Sequence, residues 1–294
     1  MDHVPVLVKE VIHNLDPAPG DIVLDATVGG GGHSEEILRR ILPGGRLIAV
    51  DRDGEALERA RRRLKGFSPS VTYVNGDFRN IDGIFDSLGI DGIDRALFDL
   101  GMSSFQVDDE RRGFSFSGRG PLDMRFDLRQ QLSAAEIVNK FSQALLADII
   151  KSFGEERYAA LVAKKICAAR KKKRIETTSE LRAIIIDAIG RKYRGQRLHP
   201  AARTFQALRI YTNDELAAAG EGVSKAVDHL RPKGRICVIS FHSLEDRIVK
   251  NIFRDMAKGR GLGILTRKPI TPGMEEIRNN PRARSAKLRV SEKL

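Results

Sequence analysis

Four consecutive glycines stand in the segment LDATVGGGGHS, residues 24–34, between a short apolar run and the start of a helical pattern. Glycine adopts backbone torsions that side chains forbid, so such a turn lets the main chain approach a ligand closely. The next apolar run, GRLIAVD, ends at Asp51. In doubly wound sheets an acidic residue at this position is placed to bind ribose hydroxyls. Together the two features predict a nucleotide site rather than a flexible loop beside an unrelated aspartate.

The spacing of the glycines does not match a dinucleotide site. Such a site has the pattern G-x-G-x-x-G, and its third glycine permits close packing of the helix against the strand. Gly29 and Gly31 fit the first two positions, but the third position is Ser34. The pattern therefore favours a nucleotide without a diphosphate, for which the third glycine is dispensable.

Acidic residues at the ends of three apolar runs favour S-adenosylmethionine as that nucleotide. Asp25 precedes the glycines, Asp51 ends the second run, and a third run ends in GDF, residues 76–78. In such a site Asp51 binds the ribose, and Phe78 lies against the adenine. A GDF sequence alone is weak support, because turns are rich in Gly and Asp.

Apolar runs alternate with helical periods over the first hundred residues. The runs are short and bounded, and they predict strands at 21–27, 45–51, 71–77 and 94–100. Parallel strands joined by helical crossovers produce this alternation. The sequence therefore predicts an α/β fold with a doubly wound, Rossmann-like sheet, whose strand ends carry the glycine turn and the acidic residues.

The alternation stops after the fourth strand. Residues 102–127 are rich in Gly, Ser, Arg and Asp without a sustained period, and residues 133–211 are helical in pattern. A long irregular segment inside a compact domain is usually functional. Helix and strand patterns resume at 215–230, 234–240, 244–256 and 285–292. We predict one discontinuous α/β domain, residues 1–109 and 206–294, interrupted by a mainly helical substrate-recognition domain, residues 110–205.

The overall charge favours a polyanionic partner. The 294 residues include 51 Lys and Arg against 39 Asp and Glu, a net charge of +12, and nucleic acid is the first candidate. No apolar run approaches the roughly 18 to 20 residues that cross a bilayer, and the start does not resemble a signal peptide. Cys167, Cys237 and the scattered histidines lack metal-ligand spacing. We therefore expect a cytoplasmic protein without a metal or a membrane anchor, whose cysteines are buried thiols.

Blocks of sequence spread from residue 3 to residue 290 resemble those of one enzyme family. They are HVPVL (3–7), DATVGGGGHS (25–34), AVDRD (49–53), FDLGMSSFQVDDERRGFSF (98–116), GPLDMR (120–125), HPAARTFQALRI (199–210), ISFHSLEDRIVK (239–250) and NPRARSAKLRV (280–290). Along its whole length the sequence is similar to the bacterial 16S ribosomal RNA cytosine-N4 methyltransferases, the MraW family. The resemblance implies an S-adenosylmethionine-dependent enzyme that methylates the exocyclic amine of a cytosine in the decoding region of small-subunit rRNA.

The same resemblance implies which residues contact the cofactor. At the positions that match the family's blocks, these are Gly31, Gly32, His33, Asp51, Phe78, Asp99 and Gln106. Asp51 is then the ribose carboxylate and Phe78 lies against the adenine, while the last two residues follow the fourth strand. The departures from the family's blocks are mild, and no metal is implied.

Asp99 stands where this fold delivers a target amine. Amino methyltransferases commonly place Asp, Asn or Ser there, followed by Pro-Pro-aromatic, whereas this sequence reads DLGMSS from residue 99 to 104. A cytosine amine is a poor nucleophile, and an acceptor for its hydrogens favours the nucleophilic geometry and the developing positive charge. We therefore assign Asp99 a catalytic role beside its cofactor contact. Binding the methionine moiety alone, or capping the next segment, are the alternatives.

Two histidines admit more than one role. His33 resembles a general base in its position, but the family resemblance places it on the cofactor. His242 follows the strand predicted at 234–240, and it is equally consistent with a substrate contact and with a helix cap.

Aromatic and basic residues provide candidate RNA contacts. The target base must leave its stack to reach a site of this kind. Phe105, Phe114 and Phe116 are candidates for stacking on it, and anchoring the irregular segment to the core is an equal alternative. The basic runs at 170–174 and 278–289 favour phosphate contacts over a merely solvated surface.

Two other classes of function compete with this hypothesis. A non-catalytic nucleic-acid binder has no need of the glycine turn and Asp51. An enzyme acting on DNA amines or on a small molecule is disfavoured by the missing Pro-Pro-aromatic motif and by the charge. We expect 16S rRNA, within the small ribosomal subunit, as the partner. The sequence leaves open whether free rRNA is also a substrate and whether the protein forms a homodimer.

Overall fold

The computed structural model describes residues 5–196, 198–259 and 261–294. The first two residues of the HVPVL block and residue 260 lie outside the described residues. In the described part of the chain, every helix is too short or too polar to cross a membrane.

The chain divides into two compact units. The first consists of Met1–Gly101 and Leu216–Leu294, and the second is Met102–Glu215. The predicted insertion, residues 110–205, lies within the span of the second unit. The predicted domain borders themselves stay a prediction.

The first unit is built on a seven-stranded sheet. Its strands are β1 (Ile22–Asp25), β2 (Arg46–Asp51), β3 (Val71–Asn75), β4 (Ile93–Asp99), β5 (Leu230–Ser240), β6 (Leu262–Ile264) and β7 (Lys287–Lys293). They are arranged in the order β3-β2-β1-β4-β5-β7-β6. Strands β1 to β5 are parallel to one another, and β7 is antiparallel to both β5 and β6. The strand order reverses between β1 and β4, so the predicted doubly wound α/β fold is confirmed.

The strand ends bring three carboxylates to one edge of the sheet. Asp25, Asp51 and Asp99 are the last residues of β1, β2 and β4. Parallel strands direct their carboxyl ends to the same edge, and open α/β sheets bind ligands there, at the switch point of the strand order. β1 pairs with β2 on one side and with β4 on the other, so the three acids lie on adjacent strands around this switch point.

Helices cover both faces of the sheet because both faces are apolar. The α-helices of the described chain are α1 (Val8–Leu15), α2 (Gly32–Ile41), α3 (Gly54–Arg63), α4 (Ile81–Leu88), α5 (Ser104–Asp108), α6 (Ala134–Lys140), α7 (Gln143–Gly154), α8 (Ala159–Arg170), α9 (Thr178–Ile189), α10 (Ala202–Asn213), α11 (Glu215–Asp228), α12 (Ser243–Gly259) and α13 (Met274–Asn279). One core includes Val11, Ile37 and Leu57 of α1, α2 and α3. The core on the other face includes Phe85 of α4 and Val223 of α11.

Most predicted elements of the first unit occur near their predicted positions. The last predicted strand, residues 285–292, is β7. In contrast, α1, β6 and α13 have no counterpart among the predicted elements. They are three to eight residues long, which is too short for a periodic pattern to be read with certainty.

The second unit is a group of packed helices with its own apolar core. The helices α6 to α10 contribute side chains such as Ile137, Ile149, Val162, Ile185 and Leu208 to this core. In its described residues, the region predicted to be helical contains five separate α-helices. The core lets the unit bury apolar surface without help from the sheet.

Asn213 holds the irregular segment that precedes these helices. Its Oδ1 accepts from the Phe126 N–H, and its Nδ2 donates to the Met124 carbonyl, both at 2.7 Å. Met124 has φ of 64°, a left-handed conformation that a side chain adopts only where its surroundings hold it. The segment also contains α5 and a 3-10 turn, Glu110–Arg112. A buried amide thus helps to fix the backbone of this segment.

Candidate active site

The glycine turn joins β1 to α2 with a backbone that requires glycine. Gly29 and Gly31 have φ of 50° and 81°, in the left-handed region that residues with a Cβ avoid. A Cβ on Gly31 would also lie 3.3 Å from Leu64 Cγ and 3.4 Å from Ala60 Cα. The turn therefore leads closely past α3 to the N-terminus of α2, where free N–H groups favour electron-rich ligand atoms.

Gly32 contacts the N-terminal segment of the chain. A Cβ on Gly32 would lie 2.8 Å from Pro5 Cγ. Two residues later, the N–H of Leu7 donates to Glu276 Oε1 at 2.7 Å. Residues 5–7 thus form a strap against the glycine turn, which we call the N-terminal strap. The absence of a side chain on Gly32 makes room for it.

Asp51 is oriented by the backbone around it. Its Oδ2 accepts from the Gly29 N–H and its Oδ1 accepts from the Asp53 N–H, each at 2.9 Å. Burial raises the pKa of Asp51 to about 7, although both backbone hydrogen bonds lower it. Each carboxylate oxygen has a second lone pair, so the oriented carboxylate can still accept from two hydroxyl groups of a ribose.

Phe78 follows β3 and is held by β4 and α11. Its ring meets that of Phe98 edge to face, with centroids 5.5 Å apart. A Cβ on Gly222 would lie 2.3 Å from Phe78 Cδ2, so this glycine lets α11 approach the ring. The preceding Asp77 accepts from the Arg79 N–H at 2.9 Å and caps the short turn that Phe78 begins. The ring is therefore fixed in position, as a contact for a flat ligand requires.

Asp99 ends β4 with one carboxylate oxygen that accepts no hydrogen bond from the described residues. Its backbone N–H donates to Thr27 Oγ1 at 2.6 Å, which ties β4 to the start of the glycine turn. Its Oδ1 is buried and has no hydrogen-bond partner among the described residues. Burial, and secondly the charge of Glu245, raise the pKa of Asp99 to about 7. A buried acceptor without a donor is costly, so Oδ1 is suited to a donor from a ligand.

His33 lies behind Asp99. Its Nε2 is 2.8 Å from the carbonyl oxygen of Val6 in the N-terminal strap, and its Nδ1 is 3.7 Å from Asp99 Oδ2. The second distance is too long for a hydrogen bond but within the range of an ion pair. Burial lowers the pKa of His33, so the imidazole is neutral at neutral pH. The side chain joins the strap to the end of β4.

His242 caps α12 together with Glu245. The N–H of Glu245 donates to His242 Nδ1, and the N–H of His242 donates to Glu245 Oε2, both at 3.3 Å. This reciprocal pair is a capping box in which histidine takes the N-cap position. Of the two roles left open for His242 by the sequence, the structure shows the cap. Glu245, only 1% exposed, is the neighbouring charge that acts on Asp99.

Gln106 belongs to the second unit, where it caps α5. Its Oε1 accepts from the Ser103 N–H at 2.9 Å, and the two residues form a capping box. The side chain is buried. The cofactor contact expected of Gln106 stays a prediction.

Of the three aromatic candidates, Phe114 belongs to the core of the second unit and Phe116 packs against it. Phe114 stacks on Phe126 with ring centroids 5.3 Å apart. Phe116 stacks on His199 at 4.6 Å, with the rings nearly parallel. These contacts are those of residues that anchor the irregular segment. Phe105 is half-buried, and stacking on the target base and anchoring the irregular segment both stay predictions for it.

The first basic run is only partly available to a partner. Arg170 donates to a backbone carbonyl, and Lys173 and Arg174 form ion pairs with glutamates. Lys171 and Lys172 are exposed. The two exposed lysines are therefore the members of this run best placed to contact a phosphate.

The second basic run ends in β7, where its cations are partly neutralised. Lys287 and Arg289 contact the carboxylate of Asp246, at 3.2 Å and 2.6 Å. Arg278 and Arg284 are exposed. The run thus combines a structural part in the sheet with an exposed cationic part before it.

The residues of the first unit fit S-adenosylmethionine. Asp51 offers an oriented pair of anionic acceptors, which suits ribose hydroxyls. Phe78 offers a fixed aromatic ring, which suits adenine. Asp99 Oδ1 is an unpartnered buried acceptor among the described residues, which suits an N–H donor. The donor set and the chemistry of the cofactor agree, while the assignment of each contact stays a prediction.

The fold and this site define the class of the protein: it is a methyltransferase that uses S-adenosylmethionine. More specifically, the sequence profile of the MraW methylase family matches residues 1–294, so the chain belongs to that family. The resemblance seen in the sequence blocks is thereby confirmed.

Curated relatives match the chain over its whole length. "Ribosomal RNA small subunit methyltransferase H" of Persephonella marina is 49% identical over 294 residues, which cover 100% of this chain and 100% of the relative. The protein of the same name from Halothermothrix orenii is 48% identical over 309 residues, covering 100% of this chain and 99% of the relative. That from Brevibacillus brevis is 47% identical over 307 residues, covering 99% and 98%.

Sequence reasoning missed several residues that shape the site. Thr27 accepts from the Asp99 N–H, Glu245 faces Asp99, Gly222 admits Phe78, and Glu276 binds the strap. A glycine within a helical pattern is itself a signal of close packing, so Gly222 could have been found. The spacing of Glu245 three residues after His242 is that of a capping box.

Proposed function

We propose that this protein transfers a methyl group to the exocyclic N4 amine of a cytosine in the decoding region of 16S rRNA. The relatives are named as methyltransferases of the small-subunit rRNA, and a net charge of +12 suits a polyanionic substrate. The observation that carries the amine assignment is Asp99 Oδ1, which is buried at the end of β4 without a donor among the described residues. An exocyclic amine supplies such a donor.

In this proposal Asp99 compensates for the poor nucleophilicity of the amine. The nitrogen lone pair is delocalised into the cytosine ring. An acceptor bonded to one amine hydrogen favours the pyramidal geometry, in which the lone pair is available, and then stabilises the positive charge on nitrogen. Bound S-adenosylmethionine supplies an electrophilic methyl group. The protein has to hold the amine at about 3 Å from that methyl carbon, in line with the bond that breaks.

Seven residues hold the cofactor in this proposal. They are Gly31, Gly32, His33, Asp51, Phe78, Asp99 and Gln106. Asp51 accepts the ribose hydroxyls, Phe78 lies against the adenine, and the glycines bring main-chain N–H groups close to the ligand. Asp99 serves both the methionine moiety and the amine, through different lone pairs of its carboxylate.

The second unit recognises the RNA in this proposal. The target cytosine leaves its stack to reach the site, which costs a few kcal/mol and is easiest for a base that is already splayed. The exposed Lys171 and Lys172 contact phosphates, and the half-buried Phe105 of the irregular segment stacks on the base. We place the reaction in the cytoplasm, on rRNA within the small ribosomal subunit.

Methyl transfer to defined substrates tests this function. Purified protein and labelled S-adenosylmethionine are incubated with small ribosomal subunits, naked 16S rRNA and a DNA oligonucleotide of the same sequence. Nucleoside analysis should recover label as N4-methylcytidine from at least one RNA substrate and none from the DNA. Comparison of the two RNA substrates shows whether assembly is needed.

Three results would contradict the proposal. Label in another nucleoside would move the target away from the cytosine amine. Label in the DNA at a similar rate would remove the RNA preference. Tight binding of the subunit without any transfer would support a non-catalytic binder, the alternative considered from the sequence.

A further inference from the structure

The imidazole of His33 is held in one tautomer. A backbone carbonyl oxygen only accepts hydrogen bonds, so the 2.8 Å contact between Nε2 and the Val6 oxygen places the proton on Nε2. In the neutral ring, Nδ1 then carries an unprotonated lone pair. Nδ1 is the nitrogen that lies 3.7 Å from Asp99 Oδ2. The strap therefore presents a basic nitrogen to the end of β4.

The two carboxylate oxygens of Asp99 have different surroundings. Its Oδ2 faces His33, and its Oδ1 has no partner among the described residues. His33 is 6% exposed, so water has little access to its side chain. Glu245 faces Asp99 from α12, and its negative charge makes the carboxylate a better proton acceptor. One oxygen is thus available to a donor and the other adjoins a base.

We propose that Asp99 and His33 form a proton relay for the target amine, with His33 Nδ1 as its end point. The relay rests on the proposed function. As the amine nitrogen gains a methyl group, positive charge develops on it and one of its N–H bonds breaks in the same step. The proton forms an O–H bond on Asp99, and this bond breaks as an N–H bond forms at His33 Nδ1. The methylated amine ends neutral, Asp99 ends as a carboxylate, and His33 ends as an imidazolium.

Two carboxylates near His33 partly offset the burial that lowers its pKa and disfavours an imidazolium. Burial lowers the pKa of His33, but the carboxylates of Asp25 and Glu276 raise it, and Arg63 lowers it. Asp99 adds a further negative charge once it has passed its proton on. The acids therefore outnumber the one base that faces the ring. Nδ1 and Oδ2 are 3.7 Å apart, and catalytic hydrogen bonds often shorten when the substrate binds.

Two substitutions at His33 distinguish a role in the proton relay from a role as an anchor for the N-terminal strap. His33→Gln keeps a side-chain N–H at about the reach of Nε2, able to donate to Val6, but removes the base at Nδ1. His33→Asn does the reverse: its amide ends near the position of Nδ1 and falls short of the Val6 carbonyl. Single-turnover rates are measured at saturating cofactor and subunit, so that effects on binding do not enter.

We expect His33→Gln to lower the single-turnover rate about 100-fold, the lower range for loss of general acid–base assistance. A near-wild-type rate for His33→Gln, with the loss confined to His33→Asn, would overturn the relay and leave His33 as an anchor. A loss that vanishes when the cofactor is saturating would overturn it as well, because His33 would then act through binding alone.

Nitrogen NMR of labelled histidine tests the pair without cofactor or RNA. We expect the Nε2–H tautomer for His33, with a shift at Nδ1 that follows the titration of Asp99 near its pKa of about 7. That response should disappear in Asp99→Asn. An Nδ1–H tautomer, or a His33 signal insensitive to Asp99→Asn, would overturn the relay. Should the wild type fail to methylate a cytosine amine, the proposed function fails, while this titration still decides whether the two residues are coupled.

Discussion

The backbone N–H of Leu7 donates to Glu276 Oε1 at 2.7 Å, so two residues 269 positions apart meet beside the glycine turn. Leu7 has φ of 56°, a left-handed conformation that a residue with a Cβ adopts only where its surroundings hold it. The carbonyl of the preceding Val6 faces His33 Nε2. The C-terminal part of the chain thus helps to position the side chain that lies behind Asp99.

Glu276→Ala should loosen the N-terminal strap. The Leu7 N–H would lose its acceptor, which is expected to lower the free energy of unfolding by about 1 kcal/mol. We expect faster amide exchange at residues 5–7 and a weaker affinity for the cofactor, measured by hydrogen exchange and calorimetry. Glu275→Ala, which removes an exposed carboxylate from the same helix, is the matched control. Equal exchange in the two variants would show that the contact does not hold the strap.

Asp51→Ala should weaken cofactor binding at least about 100-fold while the protein stays folded. Two charge-assisted hydrogen bonds to ribose hydroxyls are lost, each worth roughly 1.5 to 3 kcal/mol. Calorimetry measures the dissociation constant, and circular dichroism checks the fold. An unchanged dissociation constant would remove Asp51 from the site.

The raised pKa of Asp51 also predicts how the wild type depends on pH. The carboxyl is protonated below its pKa of about 7 in the cofactor-free protein, so affinity for the cofactor should fall as the pH falls through this value. The same raised pKa acts on stability in the opposite direction. The contribution of Asp51 to the free energy of unfolding is present at low pH and is lost as the pH rises through about 7. The reason is that Asp51 releases its proton more easily in the unfolded chain. Urea unfolding of the wild type and of Asp51→Asn across this range checks the sign.

Asp99→Asn separates cofactor binding from catalysis. If Asp99 only holds the methionine moiety, the variant keeps an acceptor oxygen and mainly raises the apparent KM for the cofactor. If it also accepts from the amine, the lost charge matters most when the nitrogen becomes cationic. We expect the second result, with a single-turnover rate about 100-fold lower, corresponding to about 2.7 kcal/mol. A near-wild-type rate at saturating substrates would leave Asp99 as a binding residue only.

Replacing Lys171 and Lys172 together with Ala should weaken RNA binding and flatten its dependence on salt. Each phosphate contact contributes about 0.7 to 0.9 to the slope of log affinity against log salt, so two contacts contribute about 1.5. Lys173→Ala is the matched control, because Lys173 is engaged by Glu180. Affinity for the cofactor should stay unchanged in both variants. An unaltered slope in the double variant would identify the run as a solvated surface.

Gly222→Ala should displace Phe78. The added Cβ would lie 2.3 Å from the ring, so the helix or the ring must move, at a cost of about 1 to 3 kcal/mol in stability. We expect weaker binding of adenosine as well, measured by calorimetry. Gly220→Ala in the same helix is the control, since a Cβ there meets no described atom within 4 Å, and it should be neutral or slightly stabilising. Equal stability of the two variants would contradict the close approach of α11.

Local sequence was sufficient for the parts of the site that lie within one strand and the turn after it. The glycines at 29–32 and the acid at Asp51 are read from neighbours along the chain, because strand ends and turns depend on residues a few positions apart. The same is true of the alternation that predicted a doubly wound sheet. These features need no knowledge of which distant segments meet.

Tertiary structure alone decided how the surroundings of Asp99 are built. The contact of Leu7 with Glu276, the orientation of His33 by Val6 and the charge of Glu245 all join segments that no periodic pattern connects. The same holds for the helix cap at His242 and for the stacking of Phe116 on His199, two contacts that the sequence left open. Chain segments far apart in sequence meet only because the sheet and its helices bury apolar surface, and the polar contacts at its edge follow from that packing.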